Sequence, residues 1–364
     1  MTSPLQTVEW ESCPLPAQRD RELERFARRR VGVVPPSLRY VAACPWLARA
    51  QVLLGYEQGL LTALDFKLAD VVSLAVSQQN SCRYCYGIVR SLLRIQGMSE
   101  AQLREVEKQL SQSAGDPRLA AAVAFARRMT RSDPLPGEED RRALLAAGFS
   151  EIELKELAYV VAYNGVGNRI ATLLALPPEN VETMADQWHI RLLRPLLARL
   201  LSRHTTRGVA APGPRDMAGL PYAEVVLGYG DSPIAAMLAT VIREAWESPL
   251  LPRRAKALLV AIVARGLGCE QTAREQGVLL AAEDLPEAAL REVLEHLHSP
   301  LLDEHERVLV PFARQTIHYR PAQVQRAARA VLAQLGPARF IEAVGILSLA
   351  NAMCRLRGLV AARP

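Results

Sequence analysis

Hydrophobic positions recur along the chain with helical spacing, and short polar breaks separate the long apolar stretches. The stretch "FKLADVVSLAVSQQ", from Phe66 to Gln79, has the composition of a buried helix, and the following "NS" ends it. Further breaks occur at "GMSEAQ" and "RSDPLPGEED". None of the apolar stretches shows the strict alternation typical of a half-buried strand. The pattern therefore predicts an all-α fold.

Three helix starts are predicted by residues that suit the first turn. Ser99 and Gln102 have the spacing of a capping box, and Asp116 followed by Pro117 has the order of an N-cap and a first helical position. Asn80 or Ser81 is expected to cap a new helix that carries two cysteines in its first turn.

The chain also repeats itself. "LREV" at residue 103 recurs at 290 and "FAR" at residue 125 recurs at 312, in both cases 187 residues later. In that register Cys82 matches Cys269, and Arg169 matches Arg355 after a one-residue deletion. Such agreement predicts a tandem duplication. The expected parts are an N-terminal extension (1–34), a first copy (35–185), a linker helix and loop (186–214) and a second copy (215–364).

Composition and charge support helices and exclude some functions. The 364 residues suit two domains, and the hydrophobic content of 50% with only 5% aromatic residues favours helices packed on helices. The net charge is +6, but arginines alternate with acids, as in "RDRELERFARRR", so we expect no nucleic-acid partner. With no leader pattern and no uncharged span of membrane length, we expect no membrane partner and a cytoplasmic location.

The stretch "SQQNSCRYCYGIVR" contains Cys82 and Cys85, the only closely spaced cysteines; Cys13, Cys44, Cys269 and Cys354 stand alone. A helix start lowers the pKa of a thiol, which favours a redox dithiol whose nucleophile is the cysteine nearer the N-terminus, Cys82. Zinc would need two further ligands, and the chain has no histidine before His189, so we expect no metal and no cofactor. Two cysteines that only fill core space are the remaining alternative.

The sequence "SQQNSCRYC" resembles the signature of the alkyl hydroperoxidase D and carboxymuconolactone decarboxylase family, in its peroxidase-related branch, and "FARRMTRSDPLPGEEDRRALLAAGFSEIELKELAYVVAYNGVGNRIATLL" is similar to the latter half of such domains. The resemblance implies an all-α helical bundle that pairs with a second bundle, here within one chain as an intramolecular pseudo-dimer. It further implies that Cys85 attacks a peroxide, that Cys82 resolves the product, and that Asp70 matches the family's proton-relay glutamate.

Two departures from the family concern proton transfer. Asp70 is one methylene shorter than glutamate, and Val89 stands where the family has a histidine, so Tyr84, Tyr86 and Tyr163 are considered as substitute hydrogen-bond donors. Asn80 is expected to support the site. In the second copy Thr272 replaces the second cysteine and Ala257 the carboxylate, which predicts a non-catalytic structural mate.

Three further polar residues are candidates for supporting roles. Glu156 matches Glu342 at an offset of 186, which indicates either a buried carboxylate near a site or an exposed or capping residue. Asn168 and Arg169 are expected to contact an acid or the opposite copy.

The leading functional expectation is a thiol-dependent oxidoreductase that reduces a hydroperoxide or a disulfide. The alternative is a degenerate relative that binds a small ligand or serves as a scaffold. Decarboxylation of a lactone is disfavoured, because those relatives do not depend on this dithiol. The expected partners are the small substrate and an unidentified thiol reductant protein, and the assembly is either a monomeric pseudo-dimer or a trimer of such chains.

Overall fold

The computed structural model describes residues 5, 7–55, 59–112, 116–177, 217 and 219–361. Within them the chain forms helices joined by turns and has no β-strand, so the all-α prediction is confirmed. The predicted linker, 186–214, lies outside the described residues. The helices are α1 (Arg21–Val31), α2 (Leu38–Val41), α3 (Pro45–Leu53), α4 (Phe66–Gln79), α5 (Arg83–Ile95), α6 (Glu100–Gln112), α7 (Pro117–Arg131), α8 (Glu138–Ala146), α9 (Glu151–Leu173), α10 (Ala223–Gly228), α11 (Pro233–Glu247), α12 (Arg253–Leu267), α13 (Glu270–Ala282), α14 (Glu287–His296), α15 (Glu304–Gln315) and α16 (Pro321–Val360).

Two predicted helix starts are formed by the predicted side chains. The Ser99 N–H donates to Gln102 Oε1 at 2.8 Å, and the Gln102 N–H donates to Ser99 Oγ at 3.2 Å. Asp116 accepts the N–H of Arg118 at 2.9 Å, with Pro117 in the first turn of α7. These contacts satisfy N–H groups that have no partner within the helix itself.

The centre of the molecule is formed by α9 and by the second part of α16, which pack along each other. α16 kinks at Gly336, where φ is 72° and ψ is 168°, and Pro337 follows. Such a left-handed backbone suits glycine, and proline then restarts the helix. Nearly all residues after the kink are buried, which explains why this segment is so apolar.

α16 is also the one helix in the described part of the chain that is long and apolar enough to cross a membrane. Its best window has a mean hydropathy of 1.4, and 56% of that window is buried inside the protein. Burial against α9 is what a core helix requires, so length and hydropathy alone are weak evidence for a membrane span.

Helix starts in the second half follow those in the first half at a constant interval. α12, α13, α14 and α15 begin at residues 253, 270, 287 and 304, each 187 residues after the starts of α4, α5, α6 and α7 at 66, 83, 100 and 117. α5 and α13 both follow a cysteine N-cap. This agreement supports the tandem duplication, which we retain as a proposal.

Candidate functional site

The cysteine pair lies where the chain turns from α4 into α5. Asn80 ends α4, Ser81 has a φ of 52°, and the Cys82 N–H donates to the Ser77 carbonyl at 3.0 Å. Cys82 itself is the N-cap of α5, so the prediction that Asn80 or Ser81 caps this helix is wrong. The left-handed turn at Ser81 moves the cap one residue further along the chain.

The Cys82 sulfur occupies the place that an oxygen usually takes at a helix start. It accepts the N–H of Cys85 at 3.5 Å, and the Cys85 thiol also hydrogen-bonds it. Cys82 is fully buried, whereas Cys85 is half-buried. The structure therefore brings the two thiols together and leaves Cys85 as the one that a substrate can reach.

Hydrogen bonds decide the pKa of Cys82. Burial by itself raises the pKa, but hydrogen bonds from the thiol and N–H of Cys85, together with the nearby Thr172 hydroxyl and Tyr84 N–H, lower it below that of an ordinary thiol. Hydrogen bonds to the charged form favour that form, and a helix N-terminus adds its dipole. The surroundings of Cys82 thus favour its charged form more than those of an ordinary buried thiol do.

Two hydroxyl groups near Cys82 were not predicted from the sequence. Thr172 lies on α9, and Tyr319 belongs to the connection between α15 and α16 in the second half of the chain. The Thr172 hydroxyl lies beside both the Cys82 sulfur and the Tyr319 phenol. Burial raises the pKa of Tyr319, so the phenol remains a proton donor at neutral pH. Thr172 and Tyr319 are 147 residues apart, and a single sequence contains no signal for a contact over that separation.

Asn80 and Asn168 fix the turn against α9. The Asn80 amide donates to Asn168 Oδ1 at 3.1 Å, and the Asn168 amide donates to Ser77 Oγ at 3.2 Å. Neither bonds the sulfurs, so both position the turn that carries Cys82.

Arg169 contacts the opposite half of the chain, one of the two predicted alternatives. Its Nη2 donates to the Ile317 carbonyl at 3.2 Å, and its guanidinium lies 5.7 Å from the centre of the Tyr319 ring. A Cβ built on Gly165 would lie 3.8 Å from Nη1 of both Arg169 and Arg355. Burial lowers the pKa of both arginines, and the positive charge of Arg169 lowers the pKa of Arg355 further. Neither forms an ion pair with a carboxylate of the described residues.

Asp70, Tyr86 and Val89 are not brought to the sulfurs. Asp70 accepts a hydrogen bond from Gln96, which ends α5, at 2.7 Å, so it faces the end of this helix opposite the cysteines. The Tyr86 phenol donates to Glu107 on α6 at 2.6 Å. Val89 packs in the apolar cluster around Leu93. These contacts of Asp70, Tyr86 and Val89 stabilise the α4, α5 and α6 group, and the Tyr84 N–H lies near the Cys82 sulfur.

Glu156 is a buried cap for a loop and lies outside the thiol site. Its carboxylate accepts the N–H groups of Thr62, Ala63 and Leu64 at 2.6, 3.0 and 2.7 Å, just before α4 begins. Its counterpart Glu342 instead accepts the Trp46 indole N–H at 3.0 Å and lies 3.5 Å from Lys256 Nζ.

In the second half, Cys269 caps α13 as Cys82 caps α5, and Thr272 stands in the place of Cys85. The expectation that Cys269 stands alone is wrong, because the Cys354 thiol on α16 hydrogen-bonds it. At an offset of 186, Cys354 matches Asn168. If Asn168 is placed against the turn that carries Cys82, this match predicts that Cys354 lies near Cys269.

Comparison with known proteins places the dithiol inside a recognised region. Residues 49–128 match the model of the carboxymuconolactone decarboxylase family. No curated protein matches the chain. A 1.70 Å crystal structure of an "uncharacterized peroxidase-related protein" from Silicibacter sp. TM1040 is similar at 21% identity, covering 48% of this chain and 95% of that one with a TM-score of 0.40. Residues 49–128, with Cys82 and Cys85 among them, are thus the part of the chain that is similar to the carboxymuconolactone decarboxylase family.

Proposed function

We propose that the protein is a thiol-dependent oxidoreductase that reduces a hydroperoxide or a disulfide through Cys82 and Cys85. The observation that supports this most directly is the buried Cys82 sulfur, which accepts an N–H and a thiol at a helix start beside the half-buried Cys85. Donors placed in this way favour the charged form of the Cys82 sulfur, and its neighbour is placed to close a disulfide with it. Two cysteines that only fill core space would not need these donors.

With a hydroperoxide, the proposed reaction starts by proton transfer between the sulfurs. The Cys85 proton moves along the S–H···S contact to Cys82, and the Cys85 thiolate attacks the terminal peroxide oxygen. The O–O bond breaks, Cys85 becomes a sulfenic acid, and the leaving alkoxide takes the proton from Cys82. The Cys82 thiolate then attacks the Cys85 sulfur and expels hydroxide, which solvent protonates.

This series of reaction steps gives Cys82 two roles, first as a base and then as the resolving nucleophile. It assigns Cys85 as the attacking thiol, as the family resemblance implies, while the low pKa belongs to Cys82. The base therefore does not have to be the family histidine, whose place Val89 takes. An external dithiol reductant reopens the disulfide by exchange, and a reducing compartment such as the cytoplasm would supply it.

The test compares wild type with Cys82→Ser, Cys85→Ser and Cys13→Ser. Cys13 is a half-buried free thiol outside the site and serves as the matched control. Consumption of cumene hydroperoxide with dithiothreitol should fall to the buffer rate in the first two variants and remain in the third. Peptide mapping without reductant should show a Cys82–Cys85 disulfide in wild type. Equal turnover in all four proteins without that disulfide would favour the ligand-binding alternative.

A further inference from the structure

The second half of the chain contains a pair of thiols that lie far apart in the sequence. Cys269 is the N-cap of α13, and its nearest thiol is 85 residues away in sequence, at Cys354 on α16. Arg357, three residues after Cys354 and thus on the same face of α16, donates to the Thr272 hydroxyl beside Cys269, which places the Cys354 thiol close to Cys269. The relative exposures of the two cysteines are 6% and 1%. The thiol that is missing at position 272 is thus replaced by one from the neighbouring helix.

Polar groups around Cys269 are arranged to hold a thiolate. The Cys269 Sγ and Thr272 Oγ1 atoms lie 3.2 Å apart, and Arg357 Nη1 donates to the same oxygen at 2.7 Å. Because Arg357 occupies a lone pair of that hydroxyl, its hydrogen can point at the sulfur. Glu224 and Glu275 fix the guanidinium at 2.7 and 3.0 Å.

The same contacts shift the pKa values of the two thiols in opposite directions. The hydrogen bond from Cys354, together with those from Thr272 and the charge of Arg357, lowers the pKa of Cys269 to about 6 against the opposing effect of burial. The pKa of Cys354 is raised well above that of an ordinary thiol by its hydrogen bond to Cys269 and by burial. At neutral pH the pair therefore contains one thiolate, Cys269, and one thiol, Cys354.

We propose that Cys269 and Cys354 form a second redox dithiol, which hydrogen peroxide oxidises to an intramolecular disulfide. The Cys269 thiolate attacks one peroxide oxygen, the O–O bond breaks, and the product is a sulfenic acid with hydroxide. The sulfur of Cys354 attacks that sulfenic acid, and the Cys354 proton leaves with the second hydroxide. Overall, two thiols and one hydrogen peroxide give one disulfide and two waters.

The setting of the pair limits the oxidant to a small one. Arg357, which donates to the Thr272 hydroxyl beside Cys269, is 8% exposed, whereas the side chains of its partners Glu224 and Glu275 are 42% and 37% exposed. The sulfurs therefore lie one side chain beneath the surface. On their inner side is the buried Tyr222 hydroxyl, which has no hydrogen-bond partner among the described residues. Hydrogen peroxide can form hydrogen bonds in this polar setting, and a bulky hydroperoxide cannot enter it.

The experiment uses the full chain as Cys82→Ser/Cys85→Ser, so that the first dithiol cannot contribute. After treatment with hydrogen peroxide, peptide mapping should find the Cys269 and Cys354 peptides joined, with the loss of two hydrogens. Adding Cys354→Ser should abolish the link and leave a sulfenic acid at Cys269 that dimedone traps. Cys44 is the internal control, because burial raises its pKa to about 12 and it should stay unmodified.

Recovery of Cys269 and Cys354 as free thiols overturns the proposal, and so does overoxidation of Cys269 without a link. If the double serine variant does not fold, mapping all six cysteines of the wild-type protein answers the same question. Because Cys82 and Cys85 are absent from the main experiment, its outcome is independent of the test of the proposed function.

Discussion

The residue that caps α5 is a cysteine, and this single substitution of sulfur for oxygen determines the chemistry of the site. The sequence predicts a helix start and two thiols on it, because the spacing of Cys82 and Cys85 is visible in one chain. It does not predict which residue is the cap, because the left-handed conformation of Ser81 is unusual for that residue type. Nor does it predict Thr172 or Tyr319, whose positions depend on packing between distant helices.

Removing the Thr172 hydroxyl should raise the pKa of Cys82. Thr172→Val keeps the shape of the side chain and removes a hydroxyl group that lies near the sulfur and favours its charged form. We therefore expect the pKa of Cys82 to shift upward in this variant. The thiolate ultraviolet absorbance, followed from acid to alkaline pH and corrected with Cys82→Ser, measures it.

Thr130→Val is the matched control for that shift. Thr130 is also buried and donates its hydroxyl to the carbonyl of Ala126 at 2.7 Å, on α7. Its substitution should leave the thiolate titration unchanged. An equal shift in both variants would show that loosening of the fold, and not the donor, changes the pKa.

Reduced Cys269 should make stability depend on pH. Its folded pKa of about 6 lies below the unfolded thiol value, so the unfolded chain binds more protons between the two. The stabilisation is therefore complete above the unfolded value, falls as the pH decreases, and is lost below about pH 6. Cys354 has a raised pKa and opposes this trend only at more alkaline pH.

Urea unfolding with reductant present tests the sign of this effect. The difference in unfolding free energy between wild type and Cys269→Ser should grow from about pH 6 to about pH 8. A difference that is constant over this range would contradict the low pKa of Cys269.

At the scale of helices, caps and breaks were predictable where a side chain bonds its own helix. Ser99, Gln102 and Asp116 act as expected, because a capping contact needs only three or four neighbouring residues. Glu156 could not be assigned from the sequence, since its partners precede it by more than ninety residues. The same limit applies to Asp70, which bonds Gln96 across the α4–α5 pair.

Loss of the Glu156 carboxylate should destabilise the loop before α4. Glu156→Ala leaves the N–H groups of Thr62, Ala63 and Leu64 without their acceptor. Unsatisfied buried donors cost about 1–3 kcal/mol each, and partial exposure of this loop reduces the sum to about 3 kcal/mol. Glu151→Ala, at an exposed position of the same helix, should cost less than about 1 kcal/mol. Equal losses in the two variants, measured by urea unfolding, would contradict this role of Glu156.

At the scale of the whole molecule, the two halves contact each other near Cys82 and near the end of α16. The second half supplies Tyr319 beside Cys82. In the opposite direction, the loop before α8 meets α16 at Gly358, where a Cβ would lie 2.3 Å from the Pro136 carbonyl oxygen. At an offset of 186, Gly358 matches Thr172, so the two halves approach each other at matching positions. The tandem duplication that we propose, folded as a pseudo-dimer, would account for this correspondence.

The contact at Gly358 provides a test of how tightly the halves are joined. Gly358→Ala forces the new methyl group into a backbone oxygen, which cannot rotate away as a side chain would. We expect a loss of about 1–3 kcal/mol in unfolding free energy, as for other overpacked positions. Gly167→Ala, on the partner helix α9, places its methyl group in open space and should stabilise by about 0.5–1 kcal/mol. Urea unfolding measures whether the unfolding free energy falls in Gly358→Ala and rises in Gly167→Ala. Stabilisation by Gly358→Ala would show that the loop carrying Pro136 moves freely away from α16.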